Sequence, residues 1–84
     1  MTTITITLAF PVTIDGMTYD KLSMRRCKVR DRRSAMKQSG TDADREIWLF
    51  ATLCEVPPEV IDELDEADYA KLQDTFSSFR SASV

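Results

Sequence analysis

Histidine is missing altogether, and with it the usual general base, the usual partner of a nucleophile and the commonest metal ligand. Glycine occurs only at Gly16 and Gly40, which leaves no material for a glycine-rich loop that cradles phosphates. Cys27 and Cys54 are too few and too widely spaced for a disulfide framework or a zinc site, so two reduced cysteines are expected. No apolar stretch approaches the roughly 20 residues that a bilayer span takes. Met1-Thr2-Thr3 leads straight into alternating Ile and Thr without a basic start, so no signal peptide is expected. The acids Asp62, Glu63, Asp65, Glu66 and Asp68 lack the spacing and central glycine of a calcium loop and read as an acidic helix surface. These absences point away from an enzyme. No catalytic residue, metal site or cofactor is expected.

What is present suits a small globular fold. The 84 residues are 43% hydrophobic and 30% charged, a composition that folds rather than stays disordered. The net charge of -3 conceals a division: residues 1–40 carry eight basic and three acidic side chains, residues 41–84 three basic and eleven acidic ones. Such asymmetry either neutralises itself within the domain or forms a charged docking face.

Thr2 to Phe10 alternates, with Ile4, Ile6, Leu8 and Phe10 on one side and Thr3, Thr5, Thr7 and Ala9 on the other, which predicts a strand with one buried face. Pro11 marks an edge or a bulge, since it cannot donate to a ladder. Asp15-Gly16 is a two-residue hairpin signal, and a return strand is expected from about Met17 to Cys27, with a bulge where its apolar phase shifts between Tyr19 and Leu22. A short helix follows over Arg30 to Gln38, anchored by Ala35 and Met36, and Ser39-Gly40 breaks it. Thr41 with Asp44 and Glu46 predicts a capped helix from Asp42 to Glu55. Pro57-Pro58 ends that helix and starts a short one striped by Val60, Ile61 and Leu64. Asp65 caps a last helix whose Tyr69, Leu72, Phe76 and Phe79 share one face. The reading is an α+β fold, an N-terminal β-hairpin followed by three to four short helices, in one domain spanning residues 1–84, with the hairpin over 2–27 and the helical part over 30–80.

The stretch from Ile47 to Leu64 is the centre of the chain. Seven of the eight residues from Ile47 to Cys54 are apolar and point all round a helix, more apolar surface than so short a chain readily covers. Rigid, large side chains such as Trp48 and Phe50 anchor interfaces, and core membership is the competing explanation, stronger for Phe50 than for Trp48. The candidate docking residues are therefore Ile47, Trp48, Phe50, Ala51 and Cys54 on the helix, with Val60 and Ile61 beyond the prolines. A second candidate is the basic patch of Arg25, Arg26, Lys28, Arg30, Arg32 and Arg33. Clustered Lys and Arg neutralise phosphates, so the alternative is a small regulator that binds nucleic acid through residues 25–37. The acidic balance of the whole chain and the lack of interleaved aromatics weigh against it.

Taken in order, the sequence carries Thr-Ile-Thr-Ile-Thr-Leu at 3–8, Pro11, Asp15-Gly16, Leu22, Arg25 and Val29-Arg30-Asp31. It continues with Asp44-Arg45-Glu46-Ile47, Leu53-Cys54, Val56-Pro57-Pro58-Glu59, and Leu64-Asp65 before Asp68-Tyr69. This order and spacing resembles the small tail assembly chaperones of contractile-tailed, Mu-like bacteriophages and prophages, from about Thr2 to Phe79. The resemblance implies a non-enzymatic morphogenesis factor that binds the phage tape-measure protein and keeps it soluble in the host bacterial cytoplasm while the tail tube polymerises. It also implies absence from the mature virion, no membrane association, and a longer form made by frameshifting in many members. That longer form and the tail tube protein are further candidate partners, and a homo-oligomer is plausible for so small a core. One departure stands out. Arg32 and Arg33 follow Asp31 where the family pattern tends to be apolar, which implies a looser or solvent-facing helix there.

Overall fold

The computed structural model describes residues 3–79, so the expected limits at residues 2 and 80 lie outside the described part. Two antiparallel strands, β1 (Thr3–Ile14) and β2 (Met17–Arg25), form the hairpin. Asp15 (φ 50°) and Gly16 (φ 81°) both take the left-handed conformation, the combination that lets a two-residue turn follow the twist of its strands. Ile6 pairs with Leu22 and Ile4 with Met24, so Ile6, Leu8, Leu22 and Met24 share the inner face and are buried.

The irregularity lies on β1, where Pro11 marks an edge or a bulge, and not on β2 between Tyr19 and Leu22. Thr7 pairs with Lys21 and Val12 with Tyr19, so Leu8 to Pro11 on β1 face the single residue Asp20. Pro11 has no N–H to give, and β1 loops outward there. The alternation breaks with it: Phe10, placed by its period on the inner side, is 58% exposed, while Val12 returns to the interior.

Four helices follow: α1 (Val29–Met36), α2 (Asp42–Cys54), α3 (Pro58–Asp62) and α4 (Glu66–Phe79). α2 starts in a reciprocal cap, in which the Asp44 N–H donates to the Thr41 hydroxyl (3.2 Å) and the Thr41 N–H to the Asp44 carboxylate (2.9 Å). Gly40 makes this possible. It sits at φ 113°, and a Cβ there would lie 2.5 Å from Asp44 Oδ2. α2 ends at Glu55 in the left-handed conformation (φ 57°), with the Val56 N–H bonded to the Ala51 carbonyl at 3.0 Å. Pro57 and Pro58 then redirect the chain into α3. The Asp65 carboxylate accepts the Ala67 N–H (2.9 Å) and opens α4.

α2 lies against the inner face of the hairpin, with α1 beside it, while α3 and α4 flank β1. One core results, joining Ile6, Leu8, Leu22 and Met24 to Leu49, Phe50 and Leu53 of α2, Val60 and Ile61 of α3, and Leu72 and Phe79 of α4. Phe50 is only 1% exposed and sits between the rings of Tyr69 and Phe76, with centroids 5.6 and 5.5 Å away. The fold is α+β, a hairpin followed by four helices. Among the described residues no helix is long and apolar enough to cross a membrane.

Candidate functional site

The apolar surplus of α2 is largely absorbed by the fold. Phe50, Ala51 and Cys54 point into the core, as do Val60 and Ile61, each 7% exposed or less. The hairpin covers one side of α2 while α3 and α4 cover others, so five of the seven candidate docking residues hold the molecule together in this conformation. Ile47 and Trp48 are half-buried and keep part of their surface in solvent. Burial pushes the Cys54 thiol up to about 12, which makes it unreactive at neutral pH.

The basic patch also divides. Arg25 reaches Asp31 with both guanidinium nitrogens, at 2.8 and 3.0 Å, and the Lys28 N–H donates to the same carboxylate at 2.9 Å. The hydrogen bonds from Arg25 hold the Asp31 carboxyl down to about 2 against the opposing effect of burial. Arg26 donates to the Phe79 carbonyl at the end of α4 (2.8 Å) and lies over the Phe79 ring, 5.1 Å from its centroid. These two arginines are thus part of the framework. Lys28, Arg30, Arg32 and Arg33 remain exposed.

A second buried carboxylate went unnoticed in the sequence, where Asp68 passes for an ordinary acid in a first helical turn. Its side chain is fully buried and accepts the N–H groups of Ala9 (2.9 Å) and Phe10 (3.0 Å), the two amides that the β1 bulge removes from the ladder. Lys71 completes the clamp, 3.1 Å from Asp68 Oδ1 and 3.0 Å from the Thr7 carbonyl. Burial raises the Asp68 carboxyl, but the two amides and Lys71 outweigh it and hold the group below its ordinary value. The only sequence signal for this pairing is indirect: a Pro-marked bulge needs an acceptor, and a lone acid on an apolar helix face can supply one.

Among the described residues, three of the open grooves lie around the helices. One of about 300 Å³ runs between α1, α2 and α4, with Met36, Leu49, Phe50 and Phe76 as its apolar lining and Arg32, Asp42, Arg45 and Glu46 among its polar ones. Met36 at its mouth is 68% exposed, and its sequence-expected role as an anchor of α1 falls to Ala35 alone. Glu46 accepts hydrogen bonds from Tyr69 and Gln73, and burial together with that carboxylate raises the Tyr69 hydroxyl above its ordinary range. A second groove, of about 260 Å³, is lined by Ile47, Leu64 and Tyr69 with Asp62 and Glu66. The third, about 290 Å³, has Val29 and Phe79 with Lys28 and Arg32. Among the described residues no group of His, Cys, Asp or Glu could hold a metal ion.

The family model described as "Phage tail assembly chaperone proteins, E, or 41 or 14" matches residues 5–81, nearly the whole chain. The chain belongs to this family. It is a family of assembly chaperones, generally not enzymes. No curated protein and no solved structure matches the chain significantly. In this chaperone the motifs that carry the resemblance are mostly structural: Asp15-Gly16 turns the hairpin, Arg25 and Asp31 tie α1 to it, Pro57-Pro58 redirects the chain, and Asp68 clamps α4 to the bulge.

Proposed function

We propose that the protein binds the phage tape-measure protein and keeps it soluble in the host cytoplasm until the tail tube assembles around it, leaving before the virion is complete. The observation that supports this most directly is the groove between α1, α2 and α4 with Met36 exposed at its mouth. A tape-measure chain is long and helical, with apolar stripes that aggregate when uncovered. Such a stripe seats in an apolar groove between helices, and an unbranched methionine adapts to stripes of differing shape. The rim carries both signs of charge, Arg32 and Arg45 against Asp42 and Glu46, which suits a partner helix flanked by mixed charges. Of the earlier candidates, Phe50 forms the floor of this groove, whereas Ile47 and Trp48 lie on other flanks of α2.

Co-expression tests the reading. The tape-measure protein encoded beside this chain should be several-fold more soluble with the chaperone than without it, and an unchanged soluble fraction rejects the proposal. Met36→Ser should reduce the effect more than Trp48→Ala. The reverse order would move the docking surface to the opposite flank of α2.

A further inference from the structure

The two edges of the hairpin are finished differently. Along β1 the outer edge is closed by α4: Asp68 accepts the N–H groups of Ala9 and Phe10, and Lys71 donates to the Thr7 carbonyl at 3.0 Å. Beside β2, among the described residues, no third strand is paired. Ile14 and Met17 close the two-residue turn and so form a hydrogen-bonded pair. Alternation along the ladder then makes Thr13 and Thr18 a non-hydrogen-bonded pair, whose hydroxyls meet at 3.0 Å. The N–H and C=O of Thr18 therefore point away from β1, and no hydrogen bond from elsewhere in the described chain reaches them. An open edge of this kind is a template for another strand, and a sheet of two strands gains most from one.

The side chains along this edge match themselves about Thr18. A two-fold axis through Thr18, perpendicular to the sheet, runs two β2 strands antiparallel and keeps inner face beside inner face. Thr18 then lies opposite its own counterpart, and the two residues exchange both backbone hydrogen bonds. Met17 of each copy lies opposite Tyr19 of the other, thioether against ring. Met17 is 61% exposed and Tyr19 half-buried, with its hydroxyl 4.0 Å from the Met17 sulfur, so no helix covers this corner of the sheet. Farther out, Asp15 comes opposite Lys21 of the other copy, twice, and Asp20 opposite Gly16. Both Asp15 and Lys21 are exposed, and neither is in an ion pair among the described residues. Neighbouring registers match less well. Centring on Tyr19 sets Lys21 against Met17, centring on Met17 sets Asp15 against Tyr19, and centring on Asp20 or Lys21 sets like charges face to face.

We propose that two copies of the chaperone pair through their β2 edges about Thr18, forming a symmetric dimer with one four-stranded antiparallel sheet in the order β1-β2-β2-β1. The same surface is used by both copies, so association stops at two. The contact is small and the dimer correspondingly weak and concentration-dependent. No residue of β1 or β2 lines any of the three grooves, so the pairing is independent of which groove holds the tape-measure protein.

Sedimentation equilibrium and light scattering of the full chain test it. The weight-average mass should rise with concentration toward that of a dimer and level there. Thr18→Pro removes the outward N–H and leaves β1 its own bonds, and it should weaken dimerisation by about tenfold or more. Met17→Ser, which leaves the backbone untouched, should weaken it as well, and circular dichroism checks that both variants are folded. The deciding measurement is a double-mutant cycle on Lys21→Glu and Asp15→Asn, asparagine being equally suited to the left-handed turn position. The two residues lie about 20 Å apart along β2 of one chain, so they couple only across the contact between copies. Lys21→Glu should weaken the wild-type dimer about fivefold or more and the Asp15→Asn dimer far less. A chain that stays monomeric at every concentration overturns the proposal, and so does growth past two. Dimerisation unchanged in both folded variants, or equal effects of Lys21→Glu in the two backgrounds, also overturns it. A chain that stays monomeric while Thr18→Pro lowers its solubilisation of the co-expressed tape-measure protein assigns the edge to an extended segment of that partner instead.

Discussion

α1 and α4 are tied to the same hairpin by the same device, a buried aspartate, yet they differ in everything else that holds them. Asp31 joins α1 to the end of β2 through Arg25, and Asp68 joins α4 to the bulge of β1 through two amides. Behind Asp68 stands a full apolar face, with Leu72 and Phe79 buried and Tyr69 and Phe76 against Phe50. Behind Asp31 stands Ala35 alone, since Val29 and Met36 both face solvent. The helix with the packed face belongs to the frame. The helix without one depends on its single acid and carries the exposed apolar and basic groups, which is where a binding surface that must adapt to its partner is best placed.

This comparison can be broken or sharpened by substitution. The largest effect is expected for Phe50→Ala, which removes the ring shared by α2 and α4. It should cost about 3–5 kcal/mol in denaturant unfolding and melt both regions together. Asp68→Ala should follow at about 2–4 kcal/mol, because the Ala9 and Phe10 N–H groups lose their acceptor inside the protein. A loss below about 1 kcal/mol would show that water readily replaces the carboxylate at the bulge.

Asp31→Asn should cost roughly 1–2 kcal/mol, discounted for the partly exposed Arg25, and the cost should appear as faster amide exchange confined to α1. If exchange instead quickened equally in α4, the two helices would form one cooperative unit and the contrast drawn between them would be wrong. The same variant has a pH signature. Both carboxyls lie below their unfolded values, so their stabilisation is complete above about pH 4 and is lost as pH falls through the folded values, about 2 for Asp31. Thermal unfolding between pH 4 and pH 2 should therefore decline less steeply in Asp31→Asn than in the wild type. The smallest effect concerns the frame itself. Glu55→Gly relieves a left-handed non-glycine residue at the end of α2 and should raise stability by about 0.5–1 kcal/mol without touching partner binding.

Much of this molecule could be read along the chain because it is built from local rules. The Thr and Ile alternation with Asp15-Gly16 specified a hairpin, Thr41 and Asp44 specified the start of α2, and Pro57-Pro58 and Asp65 specified where the later helices begin. The Tyr69–Phe79 stripe likewise declared its apolar face. Each of these depends on residues within a few positions of one another, where backbone sterics and helix or strand periodicity act directly. The division of charge between the two halves was equally plain.

Other features waited for the chain to close on itself. Period alone placed Phe10 inside, and only the bulge turned it out. Composition alone could not say which residues of the 47–54 helix lie in the core, because that depends on where the hairpin, α3 and α4 come to rest. Asp68 and the Ala9 amide are 59 positions apart, and no periodicity carries a pairing over that distance. The sequence by itself determined the elements, their caps and the sign of charge at each part of the chain. The tertiary structure decided which carboxylates became buried ties and which apolar residues stayed outside, since each of these is a property of long-range contacts rather than of neighbours in sequence.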